Sequence, residues 1–177
     1  AFGVSGRDLS PADLLTYQSP SVEQGWKDTL ASLMEHPEHS PLYYLVARFV
    51  APTFDSSVLA MRGTSALLAI LLMPALFWLS RELFDDAKTA WIAAAFSAWS
   101  PIHMLYAQEA RQYALWTVLC AAGSAALLRA LRTGRRRDWA LYCALIALGL
   151  YAHLLFALVL AAHAAYLISN PRGDAKR

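Results

Sequence analysis

Four long stretches of this chain are almost free of charge, and they constrain its fold more than any other feature. Gly63–Ser80 reads GTSALLAILLMPALFWLS, and Thr89–Gln108 is uncharged apart from a neutral His103. Gln112–Leu128 is a third run. Trp139–Pro171 is a fourth, 33 residues long, with His153 and His163 inside it. A helix needs about 20 apolar residues, roughly 17–25, to cross a bilayer. The first three runs each fit one crossing. As one straight helix the fourth would be about 50 Å long at roughly 1.5 Å per residue, too long for one crossing and barely enough for two. It reads as two short helices with a turn near Gly149–His153; one long tilted helix is the alternative. The expected fold is all-α, with about five transmembrane helices, the last two short.

Composition agrees. Apolar residues make up 58% of the 177 and charged residues 16%, against about 45–50% and about 25% in soluble domains. The mean hydropathy of +0.37 excludes a disordered chain, a disulfide-rich secreted module and a coiled coil. A net charge of +2 gives no reason to expect nucleic acid as a partner. Cys120 and Cys143 both lie inside apolar runs and read as small core residues without a redox role. The sequence opens on Ala1 without a signal peptide, so it is expected to be a piece of a longer protein.

The basic residues orient the runs. The loop Arg81–Lys88 holds two bases, the loop Arg129–Arg137 five and the tail after Pro171 three, while the junction between the second and third runs holds only Arg111. Lys and Arg accumulate in cytoplasmic loops. Runs one and three therefore go from outside to inside, and run two returns. A turn in the fourth run brings the tail back inside; a single crossing would leave three bases outside.

This places residues 1–57 outside as a loop with juxtamembrane helices, 58–171 in the membrane, and 172–177 in a cytoplasmic tail or loop. Ser10-Pro11-Ala12-Asp13 reads as a helix start. Ser19-Pro20 begins another helix, with Val22, Trp26, Leu30, Leu33 and Met34 at helical spacing. Pro41 opens PLYYLVARFVA, too short to span and suited to lie in the interface as an amphipathic helix. Asp55-Ser56-Ser57 caps the first spanning helix.

Two stretches carry candidate chemistry. Gln108-Glu109-Ala110-Arg111-Gln112-Tyr113 puts a carboxylate and a guanidinium between two spanning helices, at the outer boundary, where charge is expensive unless paired or functional. One reading is a helix-turn ion pair between Glu109 and Arg111. The other is a polar site in which Arg111 holds a phosphate through its two-pronged fork and Glu109 orients Arg111, binds a metal or accepts a proton. Glu35-His36-Pro37-Glu38-His39 can ligate a divalent metal, but its spacing matches no standard zinc pattern; a polar loop before a helix is the alternative. Tyr43 and Tyr44 read as interfacial anchors or substrate contacts. His153 falls at the outer turn of the fourth run, and His163 reads as a satisfied core histidine.

Four segments resemble one family. His39-Ser40-Pro41-Leu42-Tyr43-Tyr44-Leu45 resembles the HPPLYYLL segment of polytopic GT-C glycosyltransferases, the superfamily of protein O-mannosyltransferases and lipid A aminoarabinose transferases. Arg62-Gly63-Thr64-Ser65-Ala66 is similar to the R-x-x-S-A start of their next helix. Ser100–Leu115, with Gln108-Glu109-Ala110-Arg111-Gln112-Tyr113 at its centre, resembles SPFHIYYSQEARMYAL. Gly149-Leu150-Tyr151-Ala152-His153 resembles GLYTHYF.

The resemblance implies a multi-pass enzyme, expected in a bacterial inner (plasma) membrane. It would pass a sugar from a polyprenyl-phosphate donor to a glycan, lipid or protein acceptor on the extracytoplasmic side, sometimes with a divalent metal. His39, Tyr43, Gln108, Glu109, Arg111, Tyr113 and His153 are the candidate substrate-binding residues. The family's catalytic carboxylate follows an earlier spanning helix, so it is expected upstream of Ala1. No metal ligand is assigned. The competing class is a non-enzymatic membrane module, such as a transporter half or an assembly subunit.

Overall fold

The computed structural model describes residues 41–50, 58–109 and 112–170. Among them are eight helices and no strand: α1 (Pro41–Val50), α2 (Val58–Ile70), α3 (Leu72–Phe84), α4 (Ala87–Ala98), α5 (Pro101–Gln108), α6 (Tyr113–Thr133), α7 (Arg136–Ala152) and α8 (Phe156–Ser169). The helices expected at Ser10 and Ser19, the Glu35–His39 loop, the Asp55 cap, Arg111 and the tail from Pro171 lie outside the described residues.

Two stretches among the described residues are long and apolar enough to cross a membrane, Arg62–Phe84 and Tyr113–Thr133. The other two runs are divided. Ser100 and Pro101 split the second into α4 and α5. Ser100 caps α5, its hydroxyl 3.4 Å from the His103 N–H, and Pro101 takes the first helical position, where its missing N–H costs no hydrogen bond. His153 ends α7, so the fourth run forms the helices α7 and α8. The first run also has an irregular turn at Leu71, between α2 and α3. Pro74 explains it: without an N–H it cannot bond the Ile70 carbonyl, and its ring crowds that carbonyl. His103 reaches the same level from α5, its Nε2 3.2 Å from the Ala69 carbonyl oxygen. A neighbouring side chain thus adds a hydrogen bond to the backbone one residue from the carbonyl that Pro74 leaves without its helical donor.

The helices pair as hairpins. Phe77 and Trp91 meet with ring centroids 4.8 Å apart, and Ala69 meets His103 further along. The α4–α5 segment therefore runs back along α2–α3. Between α3 and α4, Asp85 turns through a left-handed conformation and Asp86 caps α4 by accepting from the Thr89 N–H at 2.7 Å. Gly134, with φ of +64°, turns α6 into α7. The last hairpin closes at His153. Phe156 seats its ring on Gly149, where a Cβ would lie 2.3 Å from the ring, and His163 lies beside Tyr142. Contacts moving outward in step on both sides of His153 show that α8 folds back along α7.

Small residues let these helices approach closely. Ala75 of α3 and Ala121 of α6 are buried together with Leu72. A second cluster joins Leu119, Ala126 and Leu127 of α6 to Tyr142, Ile146 and Ala152 of α7 and Phe156 of α8. Outside this core the surface is strongly apolar: Trp91, Phe96, Trp99, Leu158 and Ile168 are all exposed. So many large apolar side chains exposed among the described residues suit an apolar surrounding.

Candidate functional site

The bundle has two chemically different ends. One gathers the turns around Asp85 and Gly134 with their basic residues. The other gathers the end of α5, the start of α6 and the His153 turn. Tyr113 heads α6, and Trp116 follows three residues later on the same helix face. Tyr106, on the last turn of α5, meets Tyr113 edge-on with centroids 5.2 Å apart. Tyr113 in turn lies 6.4 Å from the His153 ring, which stacks on Trp116 at 4.9 Å and 25°. Four rings from three segments thus form a continuous strip.

His153 is fixed within that strip. Its backbone is extended, its carbonyl accepts from the Phe156 N–H at 2.9 Å, and its ring Nδ1 accepts from the Leu155 N–H at 3.1 Å. A ring nitrogen that accepts has no hydrogen, so the neutral ring carries its hydrogen on Nε2. Nε2 has no hydrogen-bond partner among the described residues. Trp116 adds a second unused donor: its Nε1 is shielded from solvent and unpaired among the described residues. Such a group costs about 1–3 kcal/mol unless an acceptor reaches it.

Gln108 and Glu109 close α5 immediately before this strip. Gln108 is exposed and Glu109 half-buried, and Glu109 has no ion pair among the described residues. Of the residues expected to bind substrate, the structure therefore brings Tyr113 and His153 together, with Gln108 and Glu109 adjoining in sequence. Tyr43 is on none of these three segments. It is 1% exposed, on α1, with its hydroxyl 2.9 Å from the buried Ser65 Oγ of α2. His39 and Arg111 lie outside the described residues. Among those described, no three His, Cys, Asp or Glu side chains group closely enough to hold a metal.

Sequence reading missed Tyr106 and Trp116. Trp116 was legible as the residue one helical turn after Tyr113. Tyr106 was not, because its neighbours are fixed by the reversal between α5 and α6.

A family model described as dolichyl-phosphate-mannose-protein mannosyltransferase matches residues 36–176. The chain belongs to this family. The match spans the ring strip and the basic turns alike, and with the long apolar helices it makes the chain a membrane protein of a GT-C-type glycosyltransferase family. No curated protein and no solved structure matches the chain.

Proposed function

We propose that this mannosyltransferase-family chain handles the lipid-linked donor of a membrane glycosyltransferase. In this reading the sugar comes from a polyprenyl phosphate and goes to a glycan, lipid or protein acceptor outside a bacterial inner membrane. The observation that carries it is the strip Tyr106–Tyr113–His153–Trp116, with two unused donors, beside Gln108-Glu109. Aromatic faces suit the apolar faces of a sugar ring. Nε2–H of His153 and Nε1–H of Trp116 suit hydroxyl or phosphate oxygens. Arg111, two residues after Glu109 in the sequence, supplies the fixed positive charge that a leaving phosphate needs.

The transfer balances simply. The acceptor oxygen bonds to the anomeric carbon as the bond from that carbon to the phosphate oxygen breaks. The acceptor's proton passes to a carboxylate acting as base. The polyprenyl phosphate leaves with an added negative charge, which Arg111 neutralises while Glu109 orients it.

The membrane arrangement follows the same reading. The basic turns face the cytoplasm, the ring strip faces outward, and α2–α3, α4–α5, α6, α7 and α8 make about five crossings. The region before α1 lies outside. Cysteines introduced at positions 109 and 135, in a background free of Cys120 and Cys143, would test this. Impermeant reagent added to intact cells should label position 109 and reach 135 only after permeabilisation; the reverse pattern would refute the topology.

The donor contact is tested in the full-length polypeptide with acceptor saturating. Loss of one charge-assisted contact costs about 1.5–3 kcal/mol, roughly ten- to a hundredfold in donor affinity. Arg111→Ala should show that loss, and Arg111→Lys part of it, because a point charge cannot reproduce the fork. Unchanged donor dependence in both would remove Arg111 from the site and leave a helix-turn ion pair as its role.

A further inference from the structure

Inside the apolar part of the bundle, three polar side chains from three helices meet. His163 of α8 is 8% exposed. Its Nε2 lies 3.0 Å from Ser124 Oγ of α6, and its Nδ1 lies 3.3 Å from the Tyr142 hydroxyl of α7. Ser124 also donates to the Cys120 carbonyl oxygen at 2.8 Å.

Counting hydrogens fixes their direction. A carbonyl only accepts, so the single Ser124 hydroxyl hydrogen goes to Cys120. Ser124 Oγ must then accept from His163, which puts the imidazole hydrogen on Nε2. Nδ1 is left with its lone pair and accepts from the Tyr142 hydroxyl. Three hydrogens serve three contacts with none to spare, and only one tautomer of a neutral His163 permits this. Buried polar networks are worth keeping only when every member is satisfied, and this one is.

The position of the network matters for the site. The only buried residues of α8 are Phe156 and His163. Val159 and Leu167 pack partly buried against the same core, while Leu158, Leu160, Tyr166 and Ile168 face outward. The two buried contacts of α8 are Phe156 on Gly149 and His163 between Ser124 and Tyr142, and His163 makes the helix's polar contact with α6 and α7. His153 is at the apex of the same hairpin, and its ring is the one stacked on Trp116. We infer that the Ser124–His163–Tyr142 network is a tautomer-specific latch that holds the α7–α8 hairpin in register and so positions the His153 ring against Trp116. Its consequence for sugar transfer rests on the proposed function; its effect on the His153–Trp116 stack does not.

The test uses the full chain labelled with 5-fluorotryptophan and reconstituted in lipid, with the Trp116 resonance assigned through Trp116→Phe. His153→Ala removes the stacked ring and sets the reference for an open stack. His163→Leu leaves the Tyr142 hydroxyl unpaired and risks misfolding. The double variant Tyr142→Phe/His163→Leu removes both polar partners together, a change that can be nearly neutral for stability. The expected result is that the Trp116 resonance in the double variant moves toward its His153→Ala position while the melting temperature stays near wild type. Ser124→Ala, which removes the acceptor for Nε2–H together with the donor to the Cys120 carbonyl, should move it the same way by less. A Trp116 resonance unchanged in both Ser124→Ala and the double variant would overturn the inference. If the resonance moves but donor dependence does not, the latch stands and it is the proposed function that fails.

Discussion

At the basic end of the bundle, every described carboxylate has a partner. Asp138 accepts from Thr133 and, at 3.1 Å, from Arg129 Nε; Arg81 and Asp85 lie 3.5 Å apart; Asp86 caps α4. Glu82 accepts from Trp78 Nε1 at 3.1 Å, while Arg132 Nη2 lies 2.9 Å from its Oε1 in hydrogen-bond geometry and 2.8 Å from Oε2 as a Coulombic contact. The opposite end is built otherwise. Glu109 has no ion pair, and the donors on His153 Nε2 and Trp116 Nε1 have no acceptor, among the described residues. Among the described residues, one end uses its polar groups to tie helices together, while the other leaves two donors and a carboxylate unpaired. Shielded polar groups left unpaired call for an explanation that paired groups do not.

This comparison breaks if disrupting the paired end abolishes activity without touching stability. Glu82 is the strongest lever, because its side chain is only 5% exposed while Arg132 is 45% exposed. Glu82→Ala leaves the Trp78 N–H and the guanidinium without their acceptor. The expected loss is about 1.5–3 kcal/mol, read as thermal unfolding in micelles, with transfer per folded molecule unchanged.

The opposite end should behave in the opposite way. His153→Ala removes the stack on Trp116 and the acceptor for the Leu155 N–H. Donor dependence of transfer should weaken about five- to tenfold, equivalent to roughly 1–1.4 kcal/mol, while the melting temperature moves less than in Glu82→Ala. A variant that loses stability as much as Glu82→Ala and keeps its donor dependence would make the ring strip a structural element only.

Much of this arrangement was legible in the sequence, and the reasons differ by element. The His153 break was readable because a largely apolar 33-residue run without Asp, Glu, Lys or Arg exceeds one crossing. The start of α1 at Pro41 and the α3–α4 and α6–α7 reversals follow from a proline and from short charged loops. Two breaks were not read, although their causes are printed in the chain. Pro74 sits in the middle of the first run and Ser100-Pro101 in the middle of the second. Hydrophobicity alone treats both as continuous, whereas the missing proline N–H decides the local backbone. The site was legible where a residue lies at a predicted helix end, as Tyr113 and His153 do. It was illegible where partnership depends on which helices pack together, as for Tyr106 with Tyr113 or Ser124 with His163. Such contacts are set by helix packing, which a local pattern does not encode.

A further substitution separates backbone from electrostatics at the paired end. Gly134 turns α6 into α7 with φ of +64°, and a Cβ there would meet nothing within 4 Å. Gly134→Ala therefore costs only the left-handed backbone preference, about 1–2 kcal/mol, and Gly134→Asn costs less. Both should leave donor dependence alone. A loss of transfer out of proportion to the loss of stability would mean that the basic turn does more than close a hairpin.

The smallest predicted effect is on acid stability, and its sign can be worked out at Asp138. This residue lies just before the apolar run that begins at Trp139. The Thr133 hydroxyl that donates to its carboxylate, and then the nearby Arg129 guanidinium, hold its pKa below the usual 3.8 against the opposing effect of desolvation. A carboxyl whose pKa is lowered by folding stabilises the fold while the unfolded chain would already be ionised, and loses that contribution once the folded form is protonated. The stabilisation is therefore present above the unfolded value of 3.8 and disappears as pH falls through the lower folded value. Asp138→Asn cannot titrate. It should melt below wild type at neutral pH, and the gap should narrow as pH drops below about 4. Asp86, lowered first by the Thr89 hydroxyl and then by its N–H, adds a background of the same sign, so the comparison is made with Asp86→Asn present in both proteins. Melting temperatures measured across that range decide it. A constant gap would show that the Asp138 contacts act by shape rather than charge, and the paired end would then lose part of the electrostatic contrast with the ring strip.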